Sequence, residues 1–187
     1  MEVHLIRHTP INFSNKVCYG RLDVPLSESF KHDIKKIKNQ LLDNYDIVYS
    51  SPIKRCTILA EALDFSNLSI DERLLEVDFG DWEGIAWDKI DKNKLNNWME
   101  NFVKTSPPNG ESFNEMYFRV SRFIDMIRTK KIDNALIITH SGVIRCFLAY
   151  FLKFPLENSF KIPIGFHEHY IFKIESNPLF DSIIKLK

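Results

Sequence analysis

The feature that most constrains the fold is the run Asn134-Ala-Leu-Ile-Ile-Thr139, which is apolar at every central position. A strand with one face in water would alternate polar and apolar residues, so this run fits a central strand covered on both faces. It must then lie in a sheet with helices above and below. Helical patterns stand on either side of it. From about Ser112 to Arg128, Phe113, Met116, Tyr117, Val120, Phe123, Ile124 and Ile127 recur with 3.6-residue periodicity, and His140-Ser141-Gly142 opens a second helix running through Leu152. Earlier in the chain, residues 2 to 6 and Asp46 to Tyr49 are short apolar runs of β type. A helix follows each. The first has Phe30, Ile34, Ile37 and Leu41 on one face and Ser27 as N-cap; the second is opened by Ser50-Ser51-Pro52 and carries Arg55 in its first turn. Glu72 to Gly84 reads as a functional loop, residues 85 to 110 as a small helical excursion closed by Ser106-Pro-Pro-Asn-Gly110, and Tyr170 to Ile174 with Ser182 to Leu186 as a final strand pair. Strands alternating with helices predict a three-layer α/β/α sandwich with a mainly parallel central sheet. At 187 residues, one domain over 1–187 is expected.

Several function classes are excluded by composition. Twenty-five basic and 25 acidic side chains cancel, so no overall field draws the chain to nucleic acid or to an anionic membrane. Anion binding must come from locally placed cations. The N-terminus carries no secretion signal, no apolar stretch nears the ~20 residues of a bilayer span, and Cys18, Cys56 and Cys146 are scattered like free thiols in a reducing cytosol. A cytoplasmic protein is expected.

The chemistry collects at strand ends. In a parallel sheet, ligands bind beyond the carboxyl ends of the strands. Three proposed strands end in Arg7-His8, in Ser50-Ser51-Pro52 with Arg55, and in His140-Ser141-Gly142. Two imidazoles, two guanidiniums and two helix N-termini would converge there, a setting suited to a phosphate ester. Arg7 and Arg55 are the expected phosphate clamps, since a guanidinium fork grips two oxygens and stays charged. Two arginines and a protonated histidine can take over the charge neutralisation that metal ions supply elsewhere. His8 is the candidate nucleophile and Glu76 the candidate acid, with Asp78 and Glu83 in reserve. No cofactor or metal is expected: His167 and His169 lack a carboxylate or thiol set, His4 reads as packed or solvated, and His32 lies on a polar helix face. Tyr19 and Trp82 are candidates to line a pocket for an aromatic base, whereas Trp87 and Trp98 read as core.

These residues also carry a resemblance. Leu5-Ile-Arg-His-Thr9 resembles the signature of the histidine phosphatase, or phosphoglycerate mutase-like, superfamily; Ser50 to Cys56 resembles its second arginine motif, Leu75 to Gly84 its acid loop, and Ile138 to Arg145 its second histidine. All four occur in the family order. The resemblance implies His8 as phosphohistidine, Arg7, Arg55 and His140 as phosphate ligands, Glu76 as proton donor, and a phosphoglycerate mutase-like fold. Cys18 to Leu26 is similar to a segment of many α-ribazole phosphatases, which remove the 5′-phosphate of α-ribazole phosphate during assembly of the cobalamin lower ligand. That resemblance implies α-ribazole 5′-phosphate as the small-molecule partner. Asn12, Tyr19, Gly20, Trp82 and Ser141 are the expected substrate-binding positions. The family's glycine and glutamate after the first histidine are Thr9 and Pro10 here, and its glycine after the second is Ser141. Long insertions like those of the mutases are missing, which favours hydrolysis over phosphoglycerate mutase-type transfer. A phosphate-binding module without turnover is the remaining alternative.

Overall fold

A computed structural model describes residues 1–186. Six strands form one sheet in the order β3-β2-β4-β1-β5-β6. β1 (Glu2–Arg7), β2 (Ile47–Ser50), β3 (Leu68–Ile70) and β4 (Asn134–Thr139) run parallel, while β5 (His169–Lys173) and β6 (Ser182–Lys185) complete the sheet antiparallel. The apolar run at 134–139 does sit inside the sheet, between β2 and β1, with Ala135, Leu136, Ile137 and Ile138 all fully buried.

Because side chains alternate across a strand, each strand feeds two cores. Val3, Leu5 and Ile137 pack with Phe123, Ile127 and Phe147 of α4 (Phe113–Arg128) and α5 (Ser141–Leu152). On the opposite face Ile6, Val48, Leu136 and Ile138 meet Ile37 of α1 (Phe30–Lys38) and Leu59 and Leu63 of α2 (Lys54–Leu63). The result is the expected three-layer sandwich. Truncating a central residue such as Ile137 to alanine would cost about 2–5 kcal/mol, transfer and cavity terms together.

Local departures have local causes. Helix α4 is closed at its start by a capping box between Ser112 and Glu115. Helix α1 begins at Phe30 with Ser29, not Ser27, at the N-cap, because the Ser27 carbonyl already accepts the Phe30 N–H in a turn. Helix α2 begins at Lys54 after Ile53; Ser51 and Pro52 lie before it, and the Ser51 hydroxyl is 2.8 Å from His140 instead of capping the helix. The edge strand β3 was not foreseen, since its three residues carry no buried apolar pattern and owe their form to pairing with β2. After it the chain makes short 3₁₀ turns at Glu72–Leu74, Gly80–Trp82 and Trp87–Lys89, then α3 (Lys92–Asn101), capped by the Asp91 carboxylate. Trp82, Cys18 and Ile90 form a small core of their own, against which Phe79, Trp87, Leu95 and Trp98 pack.

Candidate active site

The register of the sheet sets the site. Arg7 pairs with Thr139 and Ser50 with Ile138, so β1, β4 and β2 end side by side. Pairing continues one residue further: the His8 N–H donates to the Thr139 carbonyl (2.9 Å) and the Ser51 N–H to the Ile138 carbonyl (3.0 Å). This places His8, Ser51 and His140 at one edge, with the His8 and His140 rings 5.3 Å apart.

Both imidazoles are buried, His8 to 2% exposure and His140 completely. The His8 Nδ1 lies 2.8 Å from the Thr9 carbonyl. A carbonyl only accepts, so Nδ1 carries the proton and Nε2 keeps its lone pair. Burial, reinforced by Arg55 and Arg7, holds His8 well below the ordinary imidazole range. Burial followed by Arg55, His8 and Arg7 does the same to His140. Desolvation and two fixed cations therefore both disfavour charging either ring.

Arg7 donates to the Ile164 carbonyl (2.9 Å) and stacks 3.9 Å from the Phe166 ring. Arg55 is 1% exposed and spends its fork on two backbone carbonyls, Leu22 (2.9 Å) and Gly20. Each leaves one buried Nε–H without a partner. Glu76 receives the Gly142 N–H (3.1 Å) and the Ser141 hydroxyl (3.3 Å) at the start of α5, and its other oxygen lies 3.0 Å from its own neighbour's Val77 N–H. A Cβ at 142 would stand 2.1 Å from the Glu76 Oε1, so any other residue there displaces that carboxylate. The reserve acids are committed elsewhere. Asp78 pairs with Arg21 at 3.0 Å, and Glu83 accepts the N–H groups of Gly20, Arg21, Leu22 and Phe79.

A cavity of about 560 Å³ opens over these groups. Its polar lining includes Arg7, His8, Tyr19, Glu76, Ser141 and Arg145, and its apolar lining Phe79, Trp87, Trp98, Met99, Phe102 and Phe160. Arg55 and His140 are buried and not among the lining residues. Three expected substrate-binding positions are corrected. Asn12 is exposed and off the wall, its N–H taken by the Pro25 carbonyl, and Asn15 lines the cavity instead. Trp82 is buried against Trp98 in the small aromatic core, so it supports the wall from behind. Gly20 is buried off the wall, its N–H held by the Glu83 carboxylate and its carbonyl by Arg55. Trp87 and Trp98, read as core, are on the wall.

Arg145 was the main omission. It lies one turn into α5, as Arg55 lies at the start of α2, so the rule that found Arg55 would also have found it. It stacks 4.9 Å from Phe160 and makes no salt bridge among the described residues. Among those residues no group of three or more histidine, cysteine or acidic side chains is arranged to hold a metal. No helix among them is long and apolar enough to cross a membrane.

Comparison with known proteins agrees with this geometry. The profile of the Histidine phosphatase superfamily (branch 1) matches residues 3–179. The chain is 29% identical over 151 residues to Phosphoserine phosphatase 1 of Hydrogenobacter thermophilus, covering 76% of this chain and 72% of that one. It is 28% identical over 165 residues to the Adenosylcobalamin/alpha-ribazole phosphatase of Salmonella typhimurium, covering 83% and 81%. In fold it resembles the alpha-ribazole phosphatase of Shigella flexneri, with a TM-score of 0.88 over 100% of this chain and 96% of that one at 24% identity.

Proposed function

The chain belongs to the histidine phosphatase superfamily and is a phosphatase, and from that premise we propose that it hydrolyses a phosphate monoester through a phosphohistidine at His8, without a metal or cofactor, with α-ribazole 5′-phosphate as substrate. The observation that carries the mechanism is the His8 ring itself: Nδ1 is tied to the Thr9 carbonyl, leaving a neutral Nε2 as nucleophile at the end of β1. In the first displacement Nε2 attacks phosphorus, the P–N bond forms, the ester P–O bond breaks, and the departing alkoxide takes a proton from the Glu76 carboxyl. In the second, the Glu76 carboxylate removes a proton from water as its oxygen attacks phosphorus; the P–N bond breaks and His8 returns to its neutral form. Arg7 grips the phosphoryl oxygens. Arg55, with two carbonyls on its fork, contributes positive charge near His8 and its unpaired Nε–H, and His140, bonded to Ser51, lies next to His8.

The aromatic lining of the cavity supports the choice of ester. A flat base set against Trp87, Trp98 and Phe102 would gain area burial plus about 0.5–1.5 kcal/mol per ring contact, which a phosphoserine side cannot. The resemblance of Cys18 to Leu26 and the Salmonella relative point the same way. One observation favours a second reading: Arg145 on the cavity wall would complement the carboxylate of phosphoserine.

The test is phosphate release from α-ribazole 5′-phosphate, phosphoserine and an aryl phosphate in excess chelator, for wild type and His8→Ala. Chelator-resistant release from the ribazole ester, abolished in the variant, with a trapped phosphohistidine in wild type, is expected. Preference for phosphoserine would transfer the assignment to the second reading. Migration of phosphate within one substrate would mark a mutase, and uptake of ester without release would mark a binding module; either defeats the hydrolytic reading.

A further inference from the structure

Residues 162–168 join the 3₁₀ turn Leu156–Lys161 to β5 without regular structure, yet they touch the site twice. The Ile164 carbonyl accepts from Arg7 at 2.9 Å, and the Phe166 ring lies 3.9 Å under the Arg7 guanidinium and 5.7 Å from the His8 ring. The next residue, His167, holds a left-handed backbone (φ 62°), uncommon outside glycine although histidine is among the residues that enter it more readily. Its Nε2 lies 2.9 Å from the Asp33 Oδ1 on α1, and its carbonyl receives the Gln40 side chain at 3.1 Å. Asp33 is only 2% exposed and accepts the Ser29 hydroxyl at 2.6 Å; among the described residues His167 is the one basic side chain that reaches it, an ion pair only when the ring is protonated. A buried carboxylate is costly without polar partners, and the Ser29 hydroxyl and the His167 ring together offset its burial.

We infer that His167 is a positioning residue for phosphate binding: its contact with buried Asp33 anchors residues 162–168 to α1, and through Ile164 and Phe166 holds Arg7 beside His8. The inference rests on the reading of Arg7 as a phosphate clamp. A long arginine side chain loses rotamer freedom on binding an anion, and a fixed carbonyl on one side with a ring beneath removes part of that loss beforehand. The phosphate clamp is thus braced from outside the cavity, by a segment common to every leaving group.

The experiment measures the dissociation constant of inorganic phosphate by calorimetry, alongside the urea midpoint, for wild type, Arg7→Gln, His167→Gly, Asp33→Asn and the double variant of the last two. His167→Gly relieves the backbone while deleting the ring, so it separates the two roles. Phosphate binding about tenfold weaker in His167→Gly and in Asp33→Asn, with the double variant no worse than either, is expected, because both substitutions break one contact. A structural role alone would lower the urea midpoint and leave phosphate affinity in place. Affinity within twofold of wild type in His167→Gly, with Arg7→Gln weakened, overturns the anchor and leaves the clamp standing. Unchanged affinity in Arg7→Gln, or wild-type protein that takes up no phosphate, overturns both, and an additive double variant overturns the shared contact.

Discussion

At the residue scale, the distribution of hydrogen bonds assigns different work to side chains of the same type. Of the four carboxylates in the acid loop, Glu83 is saturated by four backbone N–H groups, Asp78 is held by Arg21 and Asp81 by the Asn109 side chain, whereas Glu76, bonded to the N-terminus of α5, is the one that lines the cavity. If Glu76 is the acid, its contribution depends on how much the leaving group needs a proton. Glu76→Gln is expected to lower kcat for an alkyl ester such as α-ribazole 5′-phosphate by about 10²–10³-fold, and for an activated nitrophenyl ester far less. Equal losses for both esters, measured at saturating substrate, would remove Glu76 from proton transfer and leave it a structural partner of Gly142. The same reasoning separates the arginines. Arg7 and Arg145 face the cavity, while the Arg55 fork is occupied by the chain, a difference that residue type alone cannot express.

At the scale of elements, the sheet could be read from the sequence because burial on two faces and 3.6-residue periodicity leave few alternatives. Strand β4 and helix α5 begin and end where the apolar runs do, and the Arg7, His8 and Glu76 positions follow from strand ends and a loop. What stayed hidden depends on contacts between segments distant in the chain. The position of Ser51 is decided by His140, 89 residues away, and Trp98 turns to the cavity because Trp82 already fills the core beneath it. Asn12 was placed by a motif whose neighbouring residues differ here, and the actual turn brings Asn15 to the wall. One further connection has a measurable consequence. The segment from Gly20 to Leu22 is held to the acid loop by the Glu83 carboxylate, and the same segment supplies the carbonyls that fix Arg55. Glu83→Gln, which retains shape but loses charge and one oxygen, is expected to cost about 1.5–3 kcal/mol in denaturant unfolding. It should also lower kcat/KM although Glu83 is not on the cavity wall. Unchanged kcat/KM in a destabilised variant would show that Arg55 keeps its place without the segment.

For the molecule as a whole, the unusual property is how its histidines are stored. Four of the six are buried with depressed proton affinity: His8 and His140 in the site, and His4 and His169 on the neighbouring strands β1 and β5. Burial is the leading cause in each, and His169 is pushed down to about 4. The second pair is also coupled by geometry. The Tyr45 hydroxyl and the His169 Nε2 both lie 2.9 Å from the His4 Nδ1, so the three groups share the protons between them, and charging either ring changes the donors and acceptors available to the set. The direction of the pH effect follows from linkage. In the unfolded chain these rings take up protons near 6.5, while in the folded protein they stay neutral to lower pH. Between those limits the unfolded state binds more protons, so stability is intact above about pH 7 and falls as the pH drops towards 4. Each ring contributes at most about 1.4 kcal/mol per pH unit, and four together about 5 kcal/mol per unit at the steepest, against a total of about 5–15 kcal/mol for a domain of this kind. The protein is therefore expected to unfold on acidification well before its carboxylates titrate. Urea midpoints at pH 7.5, 6.5, 5.5 and 4.5 measure this directly: a steep fall below 6.5, shallower in His169→Gln, is the expected profile. A midpoint flat down to pH 5 would mean that the buried rings accept protons without opening the fold, and would overturn the account of neutral buried imidazoles.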